Sequence, residues 1–285
     1  MPISTDISTT DAAERLAGVL RQYGSVAVAF SGGVDSAVVA KAAVLEFGRQ
    51  AVAITAVSPS LASAELAVAR SEAAAIGIRH LEIQTDEFER PEYQANAGDR
   101  CFFCKDTLYR LAKSKLDELG VSCIVNGANV DDLGDHRPGM QAAMDHDVRS
   151  PLIEAGINKT EVRELARLWN LSVADKPASP CLSSRIAYGV EVTPERVNRV
   201  ELAEAFLRRE FGLKEFRVRL EADDLARIEV PLPKLSELVL ESNCAAISAE
   251  LQRLGFRRVT LDLEGFRSGS LNDSLSFVPL NGGRE

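Results

Sequence analysis

The chain has 285 residues, of which 46% are hydrophobic and 26% charged, a length that accommodates about two domains of ordinary size. No apolar run approaches the roughly 20 residues of a transmembrane helix, so the composition excludes a membrane protein and a membrane partner. The net charge of −9 disfavours a nucleic-acid partner, because phosphate backbones are bound by clustered Lys and Arg.

The first elements surround a glycine-rich segment. Residues 1–16 lack a basic region followed by an apolar one, so we expect a cytoplasmic protein without disulfides. The pattern from Thr10 to Tyr23 predicts an amphipathic helix that starts with a capping box. The apolar run 25–30 predicts a strand, which leads through SGGVDS at 31–36 into a predicted helix over 35–47.

Strands and helices then alternate. Strands are predicted at 51–57, 80–85 and 121–127, with helices at 63–76 and 106–119 between them. Near-continuous apolar strands joined by helices are typical of an α/β fold, a doubly wound parallel sheet covered on both faces. The polar stretch 86–100 is predicted to be an active-site loop.

The remaining chain divides at a loop. Helices are predicted near 138–146 and from Asn158, and the loop 176–189 is rich in Pro, Ser and Gly. We place the domain boundary after this loop, giving a nucleotide-binding domain at 1–189 and a smaller α+β domain at 190–285. The second domain is predicted to contain a helix at 194–210, strands at 216–220 and 226–230, a helix near 233–254 and a strand at 257–263.

The SGGVDS segment has the composition of an anion site. It connects a strand to a helix N-terminus, where unsatisfied N–H groups and the helix dipole attract phosphate. Gly32 and Gly33 permit close backbone approach, Ser31 and Ser36 offer hydroxyl groups, and Asp35 is able to position Mg²⁺. The segment lacks the Lys of a Walker A loop. A plain strand-to-helix turn is the alternative.

This segment resembles the PP-loop of the adenine-nucleotide α-hydrolase superfamily, a group with a HUP-like fold. Its enzymes cleave ATP between the α- and β-phosphates and leave AMP on a substrate oxygen. The resemblance implies that ATP and Mg²⁺ are bound, that the pyrophosphate lies against the loop, and that the end of the next strand, including Ser58, borders the adenine. The implied pyrophosphate-binding residues are Ser31, Gly32, Gly33, Asp35 and Ser36.

Further motifs narrow the resemblance to the LarE family of sulfur insertases, over roughly residues 10–275. They are RCFFCK at 100–105, NGAN-x-DD at 126–132, SPCLSSRIAYG at 179–189, FRVR at 216–219 and LDLEGFRSGSLN at 261–272. The resemblance implies a small-molecule nucleotide substrate, pyridinium-3,5-biscarboxylic acid mononucleotide, whose carboxylates are adenylylated and converted to thiocarboxylates. It also implies a homo-oligomer, a hexamer.

The resemblance also implies that three cysteines carry out the sulfur chemistry. Cys181 matches the family cysteine that, in single-cysteine members, gives up its own sulfur and becomes dehydroalanine. Cys101 and Cys104 form a C-x-x-C pair, and with Cys181 they match members in which three cysteines hold a [4Fe–4S] cluster with one open iron. We expect the cluster, with the sacrificial thiol as the main competitor. Half a zinc site is a weaker alternative, because structural zinc takes four ligands.

Charged residues supply further candidates. Arg217 and Arg219 alternate along a predicted strand and share one face, where guanidinium groups bind phosphate or carboxylate. With Arg185, four residues after Cys181, they are the predicted substrate ligands, and a solvated sheet face is the alternative. The sequence does not separate Glu204 and Glu229 from surface carboxylates. Asp131, Asp132 and Asp135 fit a Mg²⁺ shell or a solvated loop, and Cys123 and Cys244 are predicted to be buried.

Two other functions remain open from the residues alone. A PP-loop tRNA sulfurtransferase uses the same loop with a similar three-cysteine cluster, but the acidic charge disfavours RNA binding. A module that senses ATP without turnover needs only the loop, whereas the cysteines favour chemistry.

Overall fold

The computed structural model describes residues 7–134 and 138–267. These residues form two compact units, one made of residues 7–87 with 101–134 and 138–179, and the other of residues 88–100 with 180–267. Asp135 and residues 268–272, the end of the LDLEGFRSGSLN motif, lie outside the described residues. In the two described stretches, no helix is both long and apolar enough to cross a bilayer.

The first unit contains four strands and most of the helices. Its strands are β1 (Val26–Ala29), β2 (Ala51–Val57), β3 (Arg79–Gln84) and β4 (Cys123–Val125). Its longer helices are α1 (Ile7–Arg21), α2 (Val34–Phe47), α3 (Ser63–Ile76), α5 (Arg100–Lys113, whose first residue belongs to the second unit), α7 (Pro138–Asp145) and α9 (Lys159–Leu168), and the shorter ones are α6 (Leu116–Leu119) and α8 (Pro151–Glu154).

The four strands form one parallel sheet in the order β3-β2-β1-β4. Alternating side chains of β1 point to opposite faces: Val26 and Val28 pack with α1, α2, α3 and α9, whereas Ala27 packs with α5, α6 and α7. Both faces are therefore covered, which explains why the strands are apolar throughout. The predicted doubly wound α/β fold is confirmed.

The strand order creates a crevice. The chain leaves β1 toward β2 on one side, and β4 lies on the other side of β1, so the connections diverge between β1 and β4. Ligands of open α/β sheets bind at such a switch point, beyond the carboxyl ends of the strands. Here those ends are followed by residues 31–36 and 126–132.

The second unit is a three-stranded sheet with helices. Strands β5 (Arg217–Glu221) and β6 (Leu225–Glu229) are antiparallel, and β7 (Arg258–Leu261) is parallel to β6. The helices are α4 (Pro91–Ala95), α10 (Pro194–Phe211), α11 (Leu232–Leu238) and α12 (Glu241–Arg253). Its core includes Val200, Leu207, Phe216, Val218, Ile228 and Leu251, each at most 1% exposed.

Residues 180–189, which the sequence assigns to the first domain, group with the second unit, as do residues 88–100. The contacts of Asn96 explain this grouping, because its side chain donates to the carbonyl groups of Ile186, Ala187 and Val190. The domain boundary after Gly189 stays a prediction.

Three element predictions are wrong in detail. Helix α1 already begins at Ile7, so Thr10 does not start it. Helix α5 begins at Arg100 rather than Asp106, which places Cys101 and Cys104 in its first turns. The single helix predicted near 233–254 is two helices, because Leu240 adopts an extended conformation (φ −61°, ψ 138°).

Candidate functional site

The glycine-rich loop follows β1 and opens α2. Gly33 is the residue before the helix, and Gly32 has a positive φ of 68°. A Cβ atom on Gly32 would lie 2.8 Å from Cα of Ala69 in α3, so only glycine fits there. Ser36 Oγ donates to the Gly33 carbonyl group at 3.0 Å and lies 3.2 Å from Ser31 Oγ. The loop is thus held by its own hydroxyl groups.

Asp35 lies between two partners that are distant in sequence. Its Oδ1 accepts a hydrogen bond from Asn129 Nδ2 at 3.0 Å, and its Oδ2 contacts Lys159 Nζ at 2.5 Å. Asn129 follows β4 and Lys159 is the first residue of α9. The motif at 126–132 includes Asn129 but does not indicate this contact, and Lys159 lies in none of the motifs. The helix predicted from Asn158 is present, and the side chains of Asn158 and Glu161 form a capping box at its start.

The loop after β4 approaches α2 closely. A Cβ atom on Gly127 would lie 2.8 Å from the backbone nitrogen of Ser36, so the absence of a side chain at this position lets the two segments touch. Asp131 accepts from the backbone N–H of Lys159, and Asp132 accepts from that of Asn129. These two carboxylates therefore hold the loop and the start of α9.

Ser58, predicted to border the adenine, lies directly after β2. Its Oγ is 2.9 Å from Ser60 Oγ, in a turn closed by a bond from Leu61 N–H to the Ser58 carbonyl group. The parallel register places the end of β2 beside that of β1, so Ser58 and the glycine-rich loop are at the same edge of the sheet.

In the second unit, Cys181 is exposed on a strongly anchored turn. Its carbonyl group accepts from Ser184 N–H at 3.0 Å, Ser184 Oγ at 2.6 Å and Arg185 Nη1 at 2.9 Å. The backbone at Cys181 is therefore fixed while its thiol faces solvent.

The three predicted arginine ligands differ in their surroundings. Arg185 is 4% exposed and pairs with Glu204 at 3.0 Å. Arg219 is 5% exposed, pairs with Glu229 at 2.9 Å, and also donates to the Ser184 carbonyl group. Glu204 and Glu229 are therefore buried partners of arginines rather than surface carboxylates. As buried ion pairs, Arg185 and Arg219 already satisfy much of their donor capacity.

Arg217 is different. Its guanidinium group donates to the Phe216 carbonyl group at 2.7 Å and lies 5.1 Å from the ring of Phe266, and among the described residues it makes no hydrogen bond to a carboxylate. Burial and the nearby charge of Arg185 lower the pKa of Arg217 to about 10, so it stays cationic at neutral pH. An anion placed there would offset the cost of this buried charge.

All five cysteines lie in the described residues and none forms a disulfide. Cys101 is exposed and Cys104 is partly exposed, one turn apart on α5. Cys123 is partly buried at the start of β4, where burial raises the pKa of its thiol. Cys244, predicted to be buried, is exposed in the first turns of α12, where its thiol donates to the Leu238 carbonyl group at 3.4 Å.

The ligands predicted for a metal cluster are Cys101, Cys104 and Cys181. Among residues 7–134 and 138–267, no group of three or more His, Cys, Asp or Glu side chains is arranged to hold a metal ion. Cys101 and Cys104 belong to the first unit and Cys181 to the second. The [4Fe–4S] cluster on these three cysteines therefore stays a prediction.

A parallel sheet whose first strand leads through SGGVDS into a helix, without a Walker A lysine, defines the PP-loop class of ATP pyrophosphatases. A family model described as asparagine synthase matches residues 14–98. The chain is 36% identical, over 93% of its length, to the pyridinium-3,5-bisthiocarboxylic acid mononucleotide synthase of Lactiplantibacillus plantarum, and covers 95% of that protein. The chain belongs to the LarE family of ATP-dependent sulfurtransferases.

Two uncharacterised relatives are also similar. A protein of Synechocystis sp. is 48% identical over 87% of this chain and 92% of its own length. A protein of Methanocaldococcus jannaschii is 30% identical over 61% of this chain and 66% of its own.

Proposed function

We propose that the enzyme adenylylates the carboxylates of pyridinium-3,5-biscarboxylic acid mononucleotide and replaces an oxygen of each with sulfur. The observation that carries this proposal is the exposed Cys181 thiol on its anchored turn, in a chain that matches the Lactiplantibacillus synthase over 93% of its length. Two rounds give the dithio product that the name of that relative describes.

The first half-reaction uses ATP. The carboxylate attacks the α-phosphate, forming the acyl-adenylate and releasing pyrophosphate, because a free carboxylate has no good leaving group. The loop N–H groups at the start of α2 and Lys159 stabilise the charge on the pyrophosphate. Asp35 supplies carboxylate oxygens of the kind that Mg²⁺ prefers, and bound Mg²⁺ neutralises charge on the phosphates.

The second half-reaction transfers sulfur from Cys181. Its thiolate attacks the acyl carbon, the C–O bond to AMP breaks, and a thioester forms. Loss of the Cα proton of Cys181 and cleavage of its Cβ–S bond then leave dehydroalanine and release the thiocarboxylate. Each protein molecule delivers one sulfur by this route.

Arg217 is the proposed anchor for an anionic group of the substrate. Its guanidinium group is partly buried and paired with the Phe266 ring and a backbone carbonyl group rather than with a carboxylate. We propose that Arg185 and Arg219 contribute to this substrate site from within their buried ion pairs with Glu204 and Glu229.

The competing proposal for the sulfur source is a [4Fe–4S] cluster on Cys101, Cys104 and Cys181. The observation in its favour is that Cys101 and Cys104 lie one turn apart on α5 with at least partly exposed thiols. Held by these three cysteines, a cluster would supply sulfide and would make the reaction catalytic.

Anaerobic purification, iron quantification and protein mass measured before and after turnover separate the two routes. Loss of the elements of H₂S from Cys181 without bound iron supports the sacrificial route, and bound iron with no mass loss supports the cluster. Cys181→Ser is expected to abolish thiocarboxylate formation but keep pyrophosphate release, and Cys244→Ser is the matched control. Absence of thiocarboxylate from the unaltered protein under both conditions contradicts the proposal.

We also propose that the protein is a homo-oligomer, a hexamer, and acts in the cytoplasm. The support is the family membership alone. Sedimentation equilibrium at several concentrations measures the mass in solution, and a monomer at all of them contradicts the proposal.

A further inference from the structure

Between β3 and the C-x-x-C pair, three buried residues form a clamp on the segment that carries Cys181. The clamp consists of Tyr93, Asn96 and Arg100, which are 1%, 0% and 5% exposed. All three belong to the second unit, together with residues 180–190. The polar stretch predicted to be an active-site loop thus contains buried residues that contact the segment after Cys181.

Asn96 makes the densest contacts. Its Nδ2 donates to the carbonyl groups of Ile186, Ala187 and Val190 at 3.3, 2.9 and 3.1 Å, and its Oδ1 accepts from Arg100 Nη1. The Gly189 N–H donates to the Asn96 carbonyl group at 3.2 Å. One buried side chain therefore joins the residues that follow the Cys181 turn to the residue directly before Cys101.

Tyr93 holds the turn from the other side. Its hydroxyl group lies 2.9 Å from Ser183 Oγ, and Ser183, two residues after Cys181, is fully buried. Ala187 N–H donates to the Leu220 carbonyl group at the edge of β5. The turn is thus fixed at 183 by Tyr93 and from 186 to 190 by Asn96 and β5.

We propose that Asn96 is a positioning residue for sulfur transfer, which it serves by holding the segment 186–190 and Arg100, and so the placement of the Cys181 thiol. The inference rests on the proposed function. Attack on an acyl-adenylate requires the sulfur and the carbonyl carbon to approach to about 3–3.5 Å, and displacement by 1 Å costs about 100-fold in rate. Adenylylation, performed by the glycine-rich loop of the first unit, does not need this clamp.

The backbone of Asn96 has a positive φ of 53°, which asparagine and glycine tolerate. Two substitutions therefore separate the effect of the side-chain amide from the effect of the backbone conformation. Asn96→Gly keeps the conformation and removes the donors, whereas Asn96→Asp keeps the shape and places a carboxylate against three carbonyl groups. Asn170→Asp is the matched control, because Asn170 also has a positive φ (52°) but is exposed.

The experiment measures pyrophosphate and thiocarboxylate in single turnovers of the full-length protein with Mg-ATP and the pyridinium dicarboxylate mononucleotide. We expect Asn96→Gly and Asn96→Asp to form thiocarboxylate about 10- to 100-fold more slowly while pyrophosphate release changes less than about twofold. Asn170→Asp is expected to match the unaltered protein in both. Equal losses in the two half-reactions, or an unchanged ratio of products, overturn the proposal.

A failure of the proposed function looks different, because the unaltered protein then forms no thiocarboxylate.

A second readout covers variants that fold poorly. Tyr93→Phe removes one hydroxyl group and keeps the ring, and the rates at which iodoacetamide alkylates Cys181 and Cys244 are compared within each molecule. We expect the ratio of Cys181 to Cys244 alkylation to change severalfold in Tyr93→Phe and Asn96→Gly, and an unchanged ratio in both overturns the proposal.

Discussion

At the scale of single residues, Lys159 is the clearest addition to the glycine-rich loop. Its ammonium group, 2.5 Å from Asp35, is held at the sheet edge where pyrophosphate is proposed to leave. A lysine paired with a carboxylate in this position is a point charge that phosphate oxygens attract strongly. The PP-loop has no lysine of its own, so Lys159 supplies a charge that a Walker A loop carries within its motif.

Lys159→Met is expected to lower the rate of pyrophosphate release by about 100-fold, because it removes one preorganised charge from the developing pyrophosphate. The side chain keeps its length, so folding is expected to persist. The control is Lys115→Met, which breaks an exposed ion pair with Glu118. Release rates within a few-fold of each other for the two variants contradict the assignment.

The protonation state of His80 follows from its contacts. Thr55 Oγ1 donates its only hydrogen to the Phe30 carbonyl group at 2.7 Å, so His80 Nε2, 2.8 Å away, is the donor in their contact. Burial lowers the pKa of His80 below its ordinary 6.5. The folded protein therefore holds a neutral ring at pH values where the unfolded chain is protonated.

Stability is expected to fall as pH falls from about 6.5, because the unfolded state then binds a proton that the folded state does not, at most about 1.4 kcal/mol per pH unit. His80→Gln keeps an N–H donor that does not titrate. The free energy of unfolding of this variant is therefore expected to fall less steeply with falling pH, by this amount. Urea unfolding at pH 5.5 to 7.5 checks the difference. Parallel profiles for the two proteins would show that the ring does not titrate in this way.

At the scale of elements, the site depends on the approach of two loops. Gly127 brings the segment after β4 to within contact distance of the first turn of α2, where Asn129 reaches Asp35. Neither loop alone positions Asp35. The parallel order β1–β4 is what makes their ends neighbours.

Gly127→Ala is expected to force these loops apart, since the added Cβ atom would meet the Ser36 nitrogen at 2.8 Å. We expect a loss of about 1–3 kcal/mol in the free energy of unfolding and weaker ATP binding, measured by urea unfolding and calorimetry. Gly18→Ala is the control, because nothing lies within 4 Å of its Cβ position in α1, and alanine there is expected to be neutral or stabilising. An unchanged ATP affinity in Gly127→Ala contradicts the role of this contact.

Elements with a local signal were predictable from the sequence. The bounds of α3 and β2 match their predicted ranges, and the helix predicted from Asn158 begins at Lys159 with Asn158 as its capping residue. The start of α5 was not recognised, although Asp99 directly before Arg100 is a favoured residue at a helix start. Contacts such as Lys159 with Asp35 join residues 124 positions apart, and no local pattern carries them.

At the scale of the whole molecule, the charge distinguishes the proposed sulfurtransferase from its RNA-modifying alternative. The net charge is −9, and many arginines are already paired with carboxylates, as in the network of Arg219, Arg227, Glu229 and Asp262. Arg219 and Arg227 thus have little capacity left for a phosphate backbone, whereas Arg217, which makes no hydrogen bond to a carboxylate among the described residues, is available to a small anion.

We therefore expect the full chain to retain no labelled transfer RNA on a nitrocellulose filter at about 0.15 M salt. The reason is that RNA affinity requires several unpaired cations. Binding of the mononucleotide substrate is expected to show a shallow salt dependence, since one or two charges are engaged rather than many. Arg217→Lys keeps the charge and loses the planar fork, and it is expected to bind the substrate more weakly with the same salt slope. Tight RNA binding that falls steeply with salt would instead favour a tRNA sulfurtransferase.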